Sequence, residues 1–152
     1  EILVNKKKDK KILIETSGRG GGFNLFDGLV PVASNLNIIR KTIEHSAGRI
    51  VDFSFDKRNN AILKFFTGNQ GVVKEIKGFD LIKKYVTGGV KIVGESFVKK
   101  NQIVNNSVTD NDRLGYLLCW GRKKLQLQKI INKLEKKIVF KIYNNAKIFK
   151  NN

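Results

Sequence analysis

The chain has no methionine, one proline (Pro31), one cysteine (Cys119), one tryptophan (Trp120) and one histidine (His45) among 152 residues. A single cysteine excludes an intramolecular disulfide, and one cysteine with one histidine cannot build a four-ligand zinc site. Cys119 sits among Leu117, Leu118 and Trp120, which predicts a buried, inert thiol. No apolar run approaches the ~20 residues that span a bilayer, and Ile2-Leu3-Val4, followed by Lys6-Lys7-Lys8, is too short for a signal-peptide core. The chain starts at Glu1 rather than Met, which leaves room for a segment upstream. Negative charge is also scarce: thirteen Asp and Glu stand against thirty Lys and Arg, a formal net of +17.

A chain this basic repels itself unless an anion neutralises it, and the phosphates of nucleic acid are the commonest such anion. Lysine clusters at 6–11, 74–77, 83–84, 99–100, 122–124 and 133–137 make a polyanion the expected partner. Lys, Asn, Ile and Phe are abundant, as AT-biased codons produce, so mutational drift supplies part of the lysine excess. Apolar residues make up 41%, enough for a core and too many for a wholly disordered tail.

The expected fold class is α/β, a small mixed or antiparallel sheet with one or two packed helices and a basic C-terminal helical extension. Three regions are expected: a basic, Gly-rich segment 1–28, an α/β RNA-binding domain 29–120, and an extension 121–152. Ser17 to Gly22 permits positive φ and close backbone approach to a ligand, as an RNA-contacting loop or as a linker. It lacks the Gly-Lys-Ser/Thr ending of a P-loop. Leu29–Ala33 reads as a strand with Pro31 near its edge, and Ser34 reads as the N-cap of a helix through Leu36, Ile39, Ile43 and Ala47 that ends at Gly48. Val51, Phe53 and Phe55 alternate with polar residues, which predicts a hairpin with 61–66. Strands are expected at 72–76, 90–93, 97–98 and 114–120, a short helix or extended piece at 79–86, and a loop over 101–112. Leu127, Ile130, Ile131, Leu134 and Ile138 mark an amphipathic helix. From Arg122 onward, ten cations stand against one acid, a net of +9.

Signals for catalysis are weak. Glu44-His45-Ser46 cannot form a triad by itself, because successive helical side chains diverge by about 100°. The acids are scattered, so no metal and no cofactor is expected. A basic ribonuclease toxin, with one His and a distant Glu or Arg as acid and base, is the enzymatic alternative.

With the elements placed, residues 29–120 resemble the ribosomal protein that is eighth in the universal small-subunit series. The resemblance rests on Leu29-Val30-Pro31-Val32-Ala33-Ser34, the helix to Ala47, Gly48-Arg49-Ile50-Val51-Asp52-Phe53, Gly71 to Lys77, Tyr85-Val86 and Gly115 to Trp120. It implies a structural constituent of the small subunit of a mitochondrial or other organellar ribosome, or of a cytoplasmic one in an AT-rich organism. The implied partners are rRNA and neighbouring ribosomal proteins, with no membrane, no small-molecule substrate and no catalysis. The implied RNA contacts are Asn105, Asn106, Ser107 and Thr109, flanked by Lys99, Lys100, Arg122, Lys123 and Lys124. The order from Phe26–Val32 through Val90–Val93 is also similar to a BRCT phosphopeptide-binding domain.

Overall fold

The computed structural model describes residues 2–5, 7, 9–14, 20–55 and 59–144. Ser17, Gly18 and Arg19 of the glycine-rich run, residues 56–58 before the expected 61–66 strand, and the basic end after Asn144 lie outside them. The chain is an α/β fold of antiparallel sheets and packed helices. It opens with a hairpin, β1 (Ile2–Asn5) and β2 (Lys10–Leu13). A five-residue π-turn (Leu25–Leu29) leads into α1 (Val30–Ser34) and then α2 (Ile38–Ser46).

Two three-stranded sheets follow. In the first, β7 (Gly115–Gly121) lies between β3 (Asn60–Phe66) and β5 (Lys91–Ser96). In the second, β4 (Gly71–Lys77) lies between β6 (Ile103–Val104) and β8 (Val139–Tyr143). Helix α3 (Lys124–Glu135) joins them, and short 3-10 turns occupy Phe79–Tyr85 and Asp110–Asp112.

Cross-strand partners share a sheet face. Ile62 stands opposite Cys119, which stands opposite Ile92, so these three lie on one side of the first sheet. Leu117, Cys119 and Ile92 are buried there with Val73 of the second sheet and with Leu127, Ile131, Leu134 and Ile138. The stripe read from the sequence of α3 therefore packs into the main core, and Leu127 and Leu134 are fully buried. Phe66, Phe79 and Phe140 close one end, with ring centroids 5.6–6.0 Å apart. Burial pushes the Cys119 thiol up to about 11, as expected of an inert cysteine.

Several local expectations are corrected. The segment 29–33 is helical, with Pro31 in the first turn of α1, where its missing N–H costs nothing. Ser34 ends that helix, its hydroxyl donating to Val30 O at 2.7 Å. The N-cap of α2 is Asn37, whose side chain accepts from Arg40 N at 3.1 Å. Gly48 takes the expected left-handed conformation after that helix, at φ 78°. Residues 51–55 form no strand, and β3 pairs with β7 rather than with them. Phe97 and Val98 form a bend rather than a strand, and the 101–112 loop carries β6; of the two readings for 79–86, the short helix is the one found, as the 3-10 turn Phe79–Tyr85.

On the second sheet, a bulge between Val73 and Glu75 sets Glu75 opposite Lys141. Its carboxylate accepts from Lys141 Nζ at 2.8 Å and from Lys77 Nζ at 2.5 Å. The hydrogen bond from Lys141, then that from Lys77, hold the Glu75 carboxyl at about 2, below its ordinary 4.5. A carboxyl depressed on folding contributes stability above its unfolded pKa and loses it as pH falls through the folded one. Glu75→Gln should therefore lose a contribution that is present at neutral pH and flatten the acid limb between about pH 4.5 and 2, so that variant and parent converge as pH falls; solvent screening of this exposed pair keeps both effects small. Thermal melts across that range check it; parallel acid limbs would count against it.

Candidate functional site

The outer face of the first sheet carries Phe65 opposite Tyr116 and Leu63 opposite Leu118. Residues 20–28 lie on it. Their backbone folds tightly: Leu25 N–H donates to Gly22 O and Phe26 N–H to Gly21 O, both at 3.2 Å, and Leu29 N–H reaches Asn24 O at 2.7 Å. Phe23 and Asn24 sit at φ 52° and 59°, in the left-handed region. Two glycines make the approach possible. A Cβ on Gly20 would enter the Phe26 ring, and one on Gly28 would stand 3.3 Å from Leu118 Cδ2. At Gly22, by contrast, a Cβ would meet nothing within 4 Å, so the backbone there faces open space.

Arg113 ties this turn to the sheet. Its guanidinium centre lies 3.7 Å from the Phe65 ring centroid and 5.0 Å from that of Phe23, and it hydrogen-bonds Asp110. A planar cation against two rings is the arrangement guanidinium favours over ammonium. Beside it, Tyr116 stacks on Phe97 with centroids 5.6 Å apart. Burial, then the charges of Glu95 and Asp27, raise the Tyr116 hydroxyl above its ordinary value. Asn59 fastens α1 to this side by donating to Val32 O at 3.1 Å.

The residues expected to contact RNA fall in three places. Arg122 and Lys123 line an open groove of about 210 Å³ with Asn59, Gln126 and the Gly88–Gly89 turn, and Lys124 follows at the head of α3. Asn105, Asn106, Ser107 and Thr109 lie beyond the other end of β7, about 20 Å away by strand rise. Three of those four side chains are engaged within the chain: Ser107 Oγ accepts from Gly68 N at 2.9 Å, Asn106 Oδ1 from Gln70 N at 2.8 Å, and Thr109 forms a capping box with Asp112. Lys99 and Lys100 are exposed on the turn after β5, and Lys100 lines a groove with Lys74, Glu75 and Lys141. His45 is exposed, its ring edge-on to Phe53 at 5.8 Å, and Glu44 beside it pairs with Arg40 at 2.9 Å.

No protein-family model and no curated protein matches the chain. Solved structures do match. The L-amino acid ligase from Bacillus licheniformis superposes with a TM-score of 0.73 at 15% identity, over 94% of this chain and 35% of the ligase. The biotin carboxylase from Campylobacter jejuni, solved as a β,γ-ATP complex, gives 0.63 at 16% identity, over 97% of this chain and 32% of that one. The chain has the fold of about a third of each enzyme.

This overturns the ribosomal and BRCT resemblances. Their anchors were a strand at Leu29–Ala33 or Phe26–Val32 and another at Gly48–Phe53; the first is helix and π-turn, and the second is not a strand. The readings that rested on them fall too: a structural ribosome constituent, rRNA and ribosomal proteins as partners, exclusion of a small-molecule substrate, and exclusion of catalysis. The fold is one found in two enzymes. Neither the ribonuclease nor the phosphopeptide alternative gains support from it.

The sequence offered the glycine run as an RNA-contacting loop or as a linker. It gave no signal for Arg113 or Tyr116, because a lone arginine in a loop and a tyrosine in an apolar strand resemble ordinary surface and core residues.

Proposed function

We propose that this chain is one part of an ATP-dependent enzyme of the ATP-grasp type, and that its glycine-rich loop meets the nucleotide's phosphates. The observation that carries the reading is the 0.73 TM-score to an amino acid ligase over 94% of the chain, supported by a second enzyme solved with an ATP compound. The two named activities share formation of a bond to a carboxyl carbon. The reaction class proposed is ATP-dependent ligation or carboxylation of a small molecule bearing a carboxylate or amine.

The residue types fit. Glu15-Thr16-Ser17-Gly18-Arg19-Gly20-Gly21-Gly22 places a carboxylate, two hydroxyls, a guanidinium and four glycines in eight positions. A carboxylate suits the Mg²⁺ that accompanies ATP, a guanidinium suits phosphate oxygens, and glycines let backbone N–H groups approach them. Gly22 ends that run, and its backbone faces open space. Arg113, Phe23 and Phe65 would hold the turn in place while the loop binds.

Magnesium–ATP added to the labelled chain should shift amide resonances of residues 15–29 selectively. Arg19→Ala should weaken that response at least ~10-fold, as loss of a charge-assisted contact does. Shifts spread over the lysine-rich surfaces, with none in the loop, would overturn the reading.

A further inference from the structure

Most cation clusters of this chain are sequence neighbours on exposed segments, as with Lys83 and Lys84 on the 3-10 turn or Arg122, Lys123 and Lys124 at the head of α3. One differs. On the outer face of the second sheet, lysines from three separate segments meet in an open groove of about 400 Å³, lined by Lys74, Glu75, Ile76, Lys100, Lys141 and Tyr143. Three features of the fold bring them there. Lys74 is the extra residue of the β4 bulge, with no partner on β8, and a bulge re-aims the side chain it carries. The turn after β5 is held against that bulge: Asn101 N–H donates to Val73 O at 2.6 Å and Val73 N–H to Gln102 O at 2.9 Å, which brings Lys100 to the groove. On β8, Phe140 and Ile142 pack against the core, so Lys141 and Tyr143 project outward, and the Tyr143 ring is 62% exposed.

The groove does not neutralise its own charge. Glu75 is its single acid, and that carboxylate is already shared between Lys141 and Lys77. Lys141 keeps further N–H donors beyond that bond. Lys74 and Lys100 enter no ion pair among the described residues. Like charges held together repel, and a bound anion relieves that repulsion. We propose that this groove binds a small organic polyphosphate, a ligand with two or more phosphates carried on a flat ring. Its phosphate oxygens accept from Lys74, Lys100 and Lys141, and its ring lies on Tyr143. Three ammonium groups ask for more than one anionic group, and the exposed aromatic ring beside them asks for a flat body. The volume is that of a small-molecule site. The turn that follows the glycine run lies on the first sheet, where Gly28 meets Leu118. The groove is therefore a second site, and it does not rest on the function proposed above.

The test titrates the whole labelled chain, without magnesium, with ADP and separately with inorganic pyrophosphate, and follows amide resonances. ADP should shift the amides of Lys74, Glu75, Lys100, Lys141 and Tyr143 along one saturable curve. It should bind there at least ~5-fold more tightly than pyrophosphate, and Tyr143→Ala should remove that margin. The double variant K74A/K100A should weaken ADP binding at least ~10-fold. The double variant K83A/K84A removes the same charge elsewhere and should stay within ~2-fold of the parent. All four lysines are exposed, so both variants should melt within ~2 °C of it. Equal losses from the two double variants would reduce the effect to the general field of the chain and overturn the proposal. So would equal affinities for ADP and pyrophosphate, or shifts that spare the groove. The groove amides report this site and those of residues 15–29 report the glycine-rich run, so the two readings fail separately.

Discussion

Leu134→Ala should lower the stability of this protein by about 3 kcal/mol, the usual cost of truncating a fully buried leucine. Leu134 is completely buried, on the same side of α3 as Leu127 and Ile131. The core around it draws Val73 from one sheet and Leu117 and Cys119 from the other. A cavity at Leu134 therefore removes contacts from three layers, and little else is free to collapse into it. For a chain of this size the midpoint of thermal unfolding should fall by roughly 6–12 °C. Leu125→Ala, on the same helix but 79% exposed, should stay within about 0.5 kcal/mol. Equal effects of the two substitutions would mean that α3 does not dock as described.

Gly78→Ala should be as damaging, for a reason that burial does not convey. Gly78 links β4 to the following 3-10 helix at φ 93°, in the left-handed region. An added Cβ would enter the carbonyl of Lys137 and stand 3.0 Å from Ile138 Cα. Both obstacles are backbone, so no side chain can swing aside. Strain of the turn and displacement of the α3–β8 junction together should cost roughly 2–5 kcal/mol. Gly89→Ala is the matched control: its φ is 79°, but nothing lies within 4 Å of a Cβ. The difference between the two variants in denaturant melts isolates the clash from the strain. A Gly78→Ala protein no less stable than Gly89→Ala would refute the packing of Gly78 against Lys137.

What could be read from sequence was the set of elements with a clear apolar periodicity; β6 and β8, which pair with β4 inside the chain, fell in an expected loop and an expected helical extension. β3, β4, β7 and the α3 stripe carry apolar periodicities that local packing satisfies, and they occur near where those patterns place them. Val51, Phe53 and Phe55 show an equally clean alternation, yet a strand exists only when a ladder partner does, and β3 is taken by β7. Leu29–Ala33 misled differently. Its β-branched residues suggest a strand, but Pro31 suits a first helical turn, and the π-turn before it delivers the chain in helical geometry. The kinship of fold was invisible because, at 15–16% identity, it resides in spatial arrangement rather than in short motifs. At the site, glycine announces itself by type. Arg113 does not, since its meaning comes from two rings that lie 48 and 90 positions earlier in the chain.

The antiparallel pairing of β3 with β7, and of β4 with β8, carries a consequence for how the molecule is made. Each early strand waits for a partner 49 to 71 residues downstream, from Phe66 with Gly115 to Val72 with Tyr143. Closing such loops costs entropy before any contact repays it, which makes folding slow and cooperative. During synthesis neither sheet can be completed by the first hundred residues alone. The nascent chain should stay accessible to proteases until β8 has emerged, then close in a single step. A ladder of truncated chains stalled on the ribosome would show protection appearing abruptly once Tyr143 is free of the exit tunnel, rather than accruing strand by strand.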